Sequence, residues 1–176
     1  MESFQDKLKK IRAFVFDVDG VLSKDTTPLN AKGDPVRTAN VKDGFAIRFA
    51  IREGFQVVVI TGGNAKNVKP RYRKLGVKHY FENISDKATC LQNFIKRNEL
   101  LSEHVLYMGD DLVDYKAMAI AGIPACPGDA VPEIKRISKY VSAKNGGEGC
   151  ARDAIELVLK AQEKWIDSGE TDIRAF

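Results

Sequence analysis

The chain has 176 residues, 44% hydrophobic and 30% charged, the composition of one soluble globular domain with a real core. Its 28 basic and 24 acidic residues leave a net charge of +4, too small and too scattered to point to nucleic acid, though it suits an anionic small molecule. No apolar run approaches the length of a membrane span, and Met1 to Lys10 lacks the apolar core of a signal peptide, so a cytoplasmic protein is expected.

Residues 1–10 read as a short polar lead-in. The apolar run Ile11 to Phe16, rich in β-branched and aromatic side chains, predicts a strand buried on both faces. It ends in Asp17-Val18-Asp19-Gly20. Two readings stand for that ending. Asp and Gly are common in a surface turn. Alternatively, acids two apart share one side of an extended chain and converge on a ligand. Residues 21–42 show no helical period and carry turn residues (Thr26, Thr27, Pro28, Asn30, and Lys32 to Pro35), so a β-hairpin flap is expected there. Phe45 to Ile51 has helical spacing after Asp43-Gly44 and stops at Gly54.

Gln56 to Ile60 predicts a second buried strand, ending at Thr61-Gly62-Gly63-Asn64. A helix follows through Val68 and Leu75, with Pro70 in its first turns. A weak strand is expected within Val77 to Phe81. Ser85 or Asp86 caps the next helix, which runs to about Asn98. His104 to Met108 is a strand ending in Gly109-Asp110-Asp111. A helix through Tyr115 and Met118, a strand at Ile123 to Cys126, a short helix at Val131 to Ile137 and a last strand at Tyr140 to Ala143 complete the alternation. After the glycine-rich loop Asn145 to Gly149, an amphipathic helix runs from Ala151 to about Trp165, and Asp167 to Phe176 is a polar tail. Strands alternating with helices imply right-handed βαβ units: an α/β, doubly wound, mostly parallel sheet in a single domain.

Three strands thus end in polar chemistry at one sheet edge, where open α/β sheets bind ligands. Asp17, Asp19 and Asp110 would repel each other by roughly 4 kcal/mol per pair at 4 Å and an effective dielectric near 20. A divalent cation resolves this, and all-oxygen ligands with room for water suit Mg²⁺. A backbone carbonyl of the same stretch, Val18 or Asp19, offers a further ligand. Thr61 with the amides of Gly62 and Gly63 offers an anion site at a helix start, or Thr61 only caps that helix. Lys87 either neutralises a phosphate oxygen or is a solvated lysine. Asp111 and Asp114 either cap the following helix or orient Lys87. Arg71 belongs to a basic helix face, or turns inward as a clamp on a carboxylate. Held together, these groups suit phosphoryl transfer, with Asp17 as nucleophile and Asp19 as general acid and base. His79, His104, Tyr72, Tyr115 and Trp165 read as packing or surface residues. Cys90, Cys126 and Cys150 stand far apart without metal-ligand spacing and read as reduced thiols.

Asp17-Val18-Asp19-Gly20-Val21, Thr61-Gly62, Lys87 and Gly109-Asp110-Asp111-Leu112-Val113-Asp114 resemble, in order, the four motifs of the haloacid dehalogenase superfamily. The resemblance implies a Rossmann-like fold and a Mg²⁺-dependent aspartyl-phosphate mechanism, and Asp19 points to the phosphatase branch. No space remains for a large cap domain. Together with Asn40 to Gly44, Arg71 and Gly146 to Gly149, the pattern resembles the capless branch that dephosphorylates 3-deoxy-D-manno-octulosonate 8-phosphate in lipopolysaccharide synthesis. It implies substrate contacts at Gly62, Gly63, Asn64, Arg71 and Asn40, and a homotetramer in which the flap and the C-terminal tail close over a neighbour's site. Two departures bear on the sugar: the flap start, acidic or glycine-rich in that branch, is Lys24-Asp25-Thr26-Thr27 here, and the position after Thr61-Gly62 also differs. The residue after Thr61-Gly62 is usually arginine in that branch and glutamate in the related nonulosonate phosphatases, and here it is Gly63. Two alternatives of other kinds are a non-catalytic phosphoacceptor similar to a receiver domain and a structural subunit with a relict site.

Overall fold

The computed structural model describes residues 2–166, so the expectation for the tail at 167–176 lies outside the described residues. Six parallel strands form one sheet: β1 (Ala13–Phe16), β2 (Gln56–Ile60), β3 (His79–Phe81), β4 (Val105–Met108), β5 (Ile123–Cys126) and β6 (Tyr140–Val141). Their order is β3-β2-β1-β4-β5-β6. The chain winds outward from β1 to β3, then returns to lay β4 against the other side of β1. The sheet's topological switch point therefore lies between β1 and β4.

Side chains alternate along each strand, and the two faces have separate cores. Phe14, Phe16, Val57, Val59, Leu106 and Met108 face one way. They meet α1 (Phe4–Lys10), α2 (Val41–Arg52), α7 (Cys150–Ala161) and, at the β3 edge, α3 (Lys69–Lys74). Ala13, Val15, Val58, Ile60, Val105 and Tyr107 face α4 (Lys87–Arg97), α5 (Tyr115–Ile120) and α6 (Pro132–Ile137). Burial on both faces explains why the central strands are continuous apolar runs.

The structure corrects several boundaries. The lead-in is a helix, closed by a reciprocal Ser3–Asp6 capping box and by Gln162, whose amide donates to the carbonyls of Leu8 and Ile11. A short polar segment hid it because only Leu8 is buried. Helix α2 starts at Val41, ahead of Asp43-Gly44, because Asn40 caps it by accepting from the amides of Lys42 and Asp43. Helix α7 ends at Ala161, short of Trp165, which packs on Phe49 with ring centroids 5.1 Å apart. The last strand stops at Val141. The flap is a minimal hairpin. It has one antiparallel bridge, Leu29–Pro35, with Val36 N–H donating to Pro28 O and Asn30 N–H to Asp34 O.

Leu159 is fully buried in the core between α7 and the sheet. Leu159→Ala is expected to lower unfolding free energy by about 2–5 kcal/mol in a denaturant titration. It lies far from the strand ends, so turnover measured well below the new melting temperature should change little.

Candidate active site

The carboxyl ends of β1 and β4 lie side by side, with Asp17 N–H donating to Met108 O at 3.2 Å. This pairing brings Asp17 next to Asp110. Carboxylate oxygens of Asp17, Asp110 and Asp114 lie within 4.8 Å of one another. Lys87 enters as the first residue of α4, where a helix dipole disfavours a cation. Two acids offset that cost: its Nζ donates to Asp17 Oδ2 at 2.7 Å and Asp114 Oδ1 at 2.8 Å. Tyr107, fully buried in β4, donates its hydroxyl to the same Asp114 oxygen at 2.8 Å. The other oxygen of Asp17 accepts the Val18 amide. Lys87 and Asp114 are thus not a solvated lysine and a helix cap. Asp111 does act as a cap, accepting from the Leu112 amide.

The site holds more negative charge than one lysine balances. Burial, then Asp114, pushes Asp17 up to about 7 against the pull of Lys87. Burial, then Asp17 and Asp114, pushes Asp110 up to about 8. Burial pulls Lys87 down, but Asp17 and Asp114 outweigh it and the ammonium is held. An all-oxygen set short of one or two positive charges fits a hard dication. The Val18 carbonyl is already taken by the amides of Val21 and Ser23, so the Asp19 carbonyl serves better as the backbone ligand. Gly20 makes the approach possible: it sits at φ +77°, and a Cβ there would lie 2.0 Å from Asp110 Oδ2.

Thr61 is buried at the end of β2, and its hydroxyl accepts the Gly63 amide at 3.3 Å. Thr61, Gly62 and Gly63 close one side of a cleft of about 270 Å³ whose other walls include Asp17, Asp19, Lys87, Asp110 and Asp111. A larger cleft of about 480 Å³ opens at the opposite end of the sheet, around Arg12, Phe55 and Gln56, and it gathers no comparable set of acids. The Asp19 carboxylate, at the same cleft, meets the flap. Arg37 grips it with Nε on Oδ1 at 2.8 Å and Nη2 on Oδ2 at 2.9 Å.

A family model for haloacid dehalogenase-like hydrolases matches residues 81–153. The 3-deoxy-D-manno-octulosonate 8-phosphate phosphatase of Escherichia coli K12 is 35% identical over 158 residues, covering 90% of this chain and 84% of that protein. This chain belongs to the haloacid dehalogenase-like hydrolases, in the octulosonate 8-phosphate phosphatase family. A crystal structure of the Yersinia pestis phosphatase of that name superposes with a TM-score of 0.87 at 34% identity, covering 91% of this chain and 86% of that one. The Moraxella catarrhalis phosphatase, solved with a magnesium ion, a phosphate ion and a KDO molecule, gives a TM-score of 0.86 at 33% identity over 90% of this chain and 91% of that one.

Not every residue marked by the family resemblance reaches the cleft. Asn40 has both ends of its side chain engaged: it caps α2 and donates to Gly147 O at 3.2 Å. Asn64 offers its carbonyl to Arg37 rather than lining the cleft. Arg71 lies against α2, where a Cβ on Gly44 would approach its Nη2 to 2.7 Å, and its Nε is buried without a partner. Gly146 presses on Gly20, where a Cβ on Gly146 would lie 2.0 Å from Gly20 O, and Gly147 presses on Ser23 and Lys24. Arg37 escaped the sequence reading. It lies in an aperiodic loop, and no spacing signals that Val36-Arg37-Thr38 folds back onto Asp19.

Carboxyl groups whose pKa is raised on folding stabilise the fold while protonated. For Asp17 and Asp110 that contribution is complete below the ordinary value of 3.8 and is lost as pH rises through about 7 and about 8. The metal-free protein should therefore lose melting temperature between about pH 5 and about pH 8. Mg²⁺ should raise it most at the upper end, with protons released on binding near neutrality. Calorimetric titration in buffers of different ionisation enthalpy measures that release. A proton-neutral binding event at pH 7 would contradict the raised values.

Proposed function

We propose that this protein hydrolyses 3-deoxy-D-manno-octulosonate 8-phosphate to the free sugar acid and phosphate, in the service of lipopolysaccharide synthesis. The observation that carries the reading is the buried Lys87 bridging Asp17 and Asp114 beside Asp110, at the switch point of the sheet. A close relative in sequence carries the same substrate in its name, and the structure of another holds magnesium, phosphate and KDO.

Asp17, Asp110 and the Asp19 carbonyl would hold Mg²⁺, which would supply positive charge to the phosphoryl oxygens. Lys87 and the Val18 amide fix the plane of the Asp17 carboxylate. Thr61 and the Gly62 and Gly63 amides orient the phosphoryl group. A carboxylate oxygen of Asp17 attacks phosphorus, the bond to the ester oxygen breaks, and that oxygen leaves with a proton from Asp19. Water then attacks the aspartyl phosphate, Asp19 takes the proton, and phosphate departs. A sugar alkoxide is a poor leaving group, which makes a proton donor at Asp19 valuable; a mere phosphoacceptor has no such need. We carry the assembly as a homotetramer and the location as cytoplasmic. The exposed apolar side chains of Leu29 and Val36 on the flap support self-association. Among the described residues no helix is long and apolar enough to cross a membrane.

Phosphate release from a panel of phosphorylated sugar acids tests the reading. The eight-carbon acid should show the highest kcat/KM, ahead of a nine-carbon keto-acid 9-phosphate. Asp17→Asn should lower kcat by roughly 10³-fold or more, and EDTA should abolish turnover until Mg²⁺ is restored. Undiminished activity in EDTA or in the Asp17 variant would sink the mechanism.

A further inference from the structure

The flap is almost entirely exposed. From Lys24 to Ala39 only Thr27 and Arg37 are less than exposed. The Arg37 side chain is 5% exposed, while the Asp19 side chain that it grips is 42% exposed. Burying a guanidinium is costly unless its donors are well used. Here Nε and Nη2 form a two-pronged fork on Asp19, and Nη1 donates to Asn64 O at 2.9 Å. The place is prepared from two sides. A Cβ on Gly63 would lie 2.6 Å from Arg37 Nη2 and 3.3 Å from Asp19 Oδ2, so the bare backbone at 63 makes the space that the fork fills. The arms of the flap are stitched at their base, with Thr38 N–H donating to the buried Ser23 Oγ at 2.9 Å and Lys24 N–H to Thr38 Oγ1 at 3.1 Å.

We propose that Arg37 is the positioning residue for Asp19, carried by the flap and holding that carboxylate at the cleft mouth beside the Gly62–Gly63 turn. The proposal rests on the acid and base role given to Asp19 above. In the first half-reaction the proton of Asp19 passes to the ester oxygen as its bond to phosphorus breaks and the Asp17–phosphorus bond forms. Arg37 pairs with the carboxylate left behind and keeps both its oxygens aimed. In the second half-reaction the water oxygen bonds to phosphorus, the Asp17–phosphorus bond breaks, and the water proton goes to that same held carboxylate. Arg37 acts through Asp19 and needs no contact with phosphate. A lysine, as a single point charge, cannot reproduce the fork.

Leaving-group dependence separates this role from a structural one. The sugar phosphate needs a proton on its leaving oxygen, whereas p-nitrophenyl phosphate does not. Arg37→Ala is expected to lower the ratio of kcat on the sugar phosphate to kcat on the aryl phosphate by about tenfold or more, a part of the 10²–10⁴-fold that general acid–base catalysis supplies. Arg37→Lys should recover only part of it. In an Asp19→Asn background, Arg37→Ala should cost no more than about twofold further, because residues acting as one unit are not additive. Equal losses on both substrates, additive losses, or faster turnover would overturn the proposal. Asp19→Asn alone distinguishes the two levels. If it leaves the ratio unchanged, the acid and base reading of Asp19 fails. If it shifts the ratio and Arg37→Ala does not, only the positioning role fails. Melting temperature checks folding, and Arg37→Gln carries the same comparison should the alanine variant not fold.

Discussion

One ammonium group holds this site together. Lys87 places its charge between two carboxylates that the fold has removed from water, and without it Asp17 and Asp114 would be buried acids with no counter-charge. The bond pattern also fixes direction. Asp114 is anchored by Tyr107 from the strand beneath and by Lys87 from the neighbouring helix, and its second oxygen accepts the Asp110 amide at 3.3 Å. Asp110 is therefore tied to the same network that orients Asp17. Lys87 satisfies only part of the charge, and the raised values of Asp17 and Asp110 express the remainder. Such a site is incomplete as a folded object and complete as a receptor for a cation.

The parallel sheet makes the convergence inexpensive. β1 and β4 are neighbours because the winding reverses after β3, so their carboxyl ends share one crevice. Glycines then let backbone come close enough to use it. Gly20 faces Asp110 and Gly146 faces Gly20, so the turn after β1 is enclosed between Asp110 and the glycine loop ahead of α7. Helix α7 is tied to the same region from below, with the Arg152 amide donating to Asp43 Oδ1 at 2.8 Å. Asp43 is pushed up to about 6 by burial. Few parts of the cleft stand on a single contact.

The flap has a different character. Its tip is closed by a few backbone bonds and is otherwise solvated. Its base, by contrast, is fastened through Ser23 and Thr38, and Arg37 is the point where it reaches Asp19. A segment with little core of its own thus reaches the Asp19 carboxylate through one buried side chain. The side chain missing at Gly63 is the other half of that contact, so the bare backbone at 63 and the inward turn of Arg37 belong to one arrangement.

Apolar runs ending in acid, threonine and glycine made the strands, the parallel sheet and the gathering of Asp17, Asp19, Thr61, Lys87 and Asp110 at one cleft legible in the sequence, because burial on both faces leaves a continuous signal and a charge at its end stands out. The motif order did the rest for the family. What the sequence left open were choices between a cap and a ligand. Asn40 went to a helix start, Asp114 to Lys87 and Tyr107, and the Val18 carbonyl to the turn that follows it. The donors that hold Asp114 arrive from 7 and 27 positions away, and the acceptor that completes Asn40 lies 107 positions away at Gly147, so only packing brings them there. Arg37 is the extreme case. A loop without periodicity carries no record of where it folds back, so the partner of Asp19 was decided by tertiary structure alone.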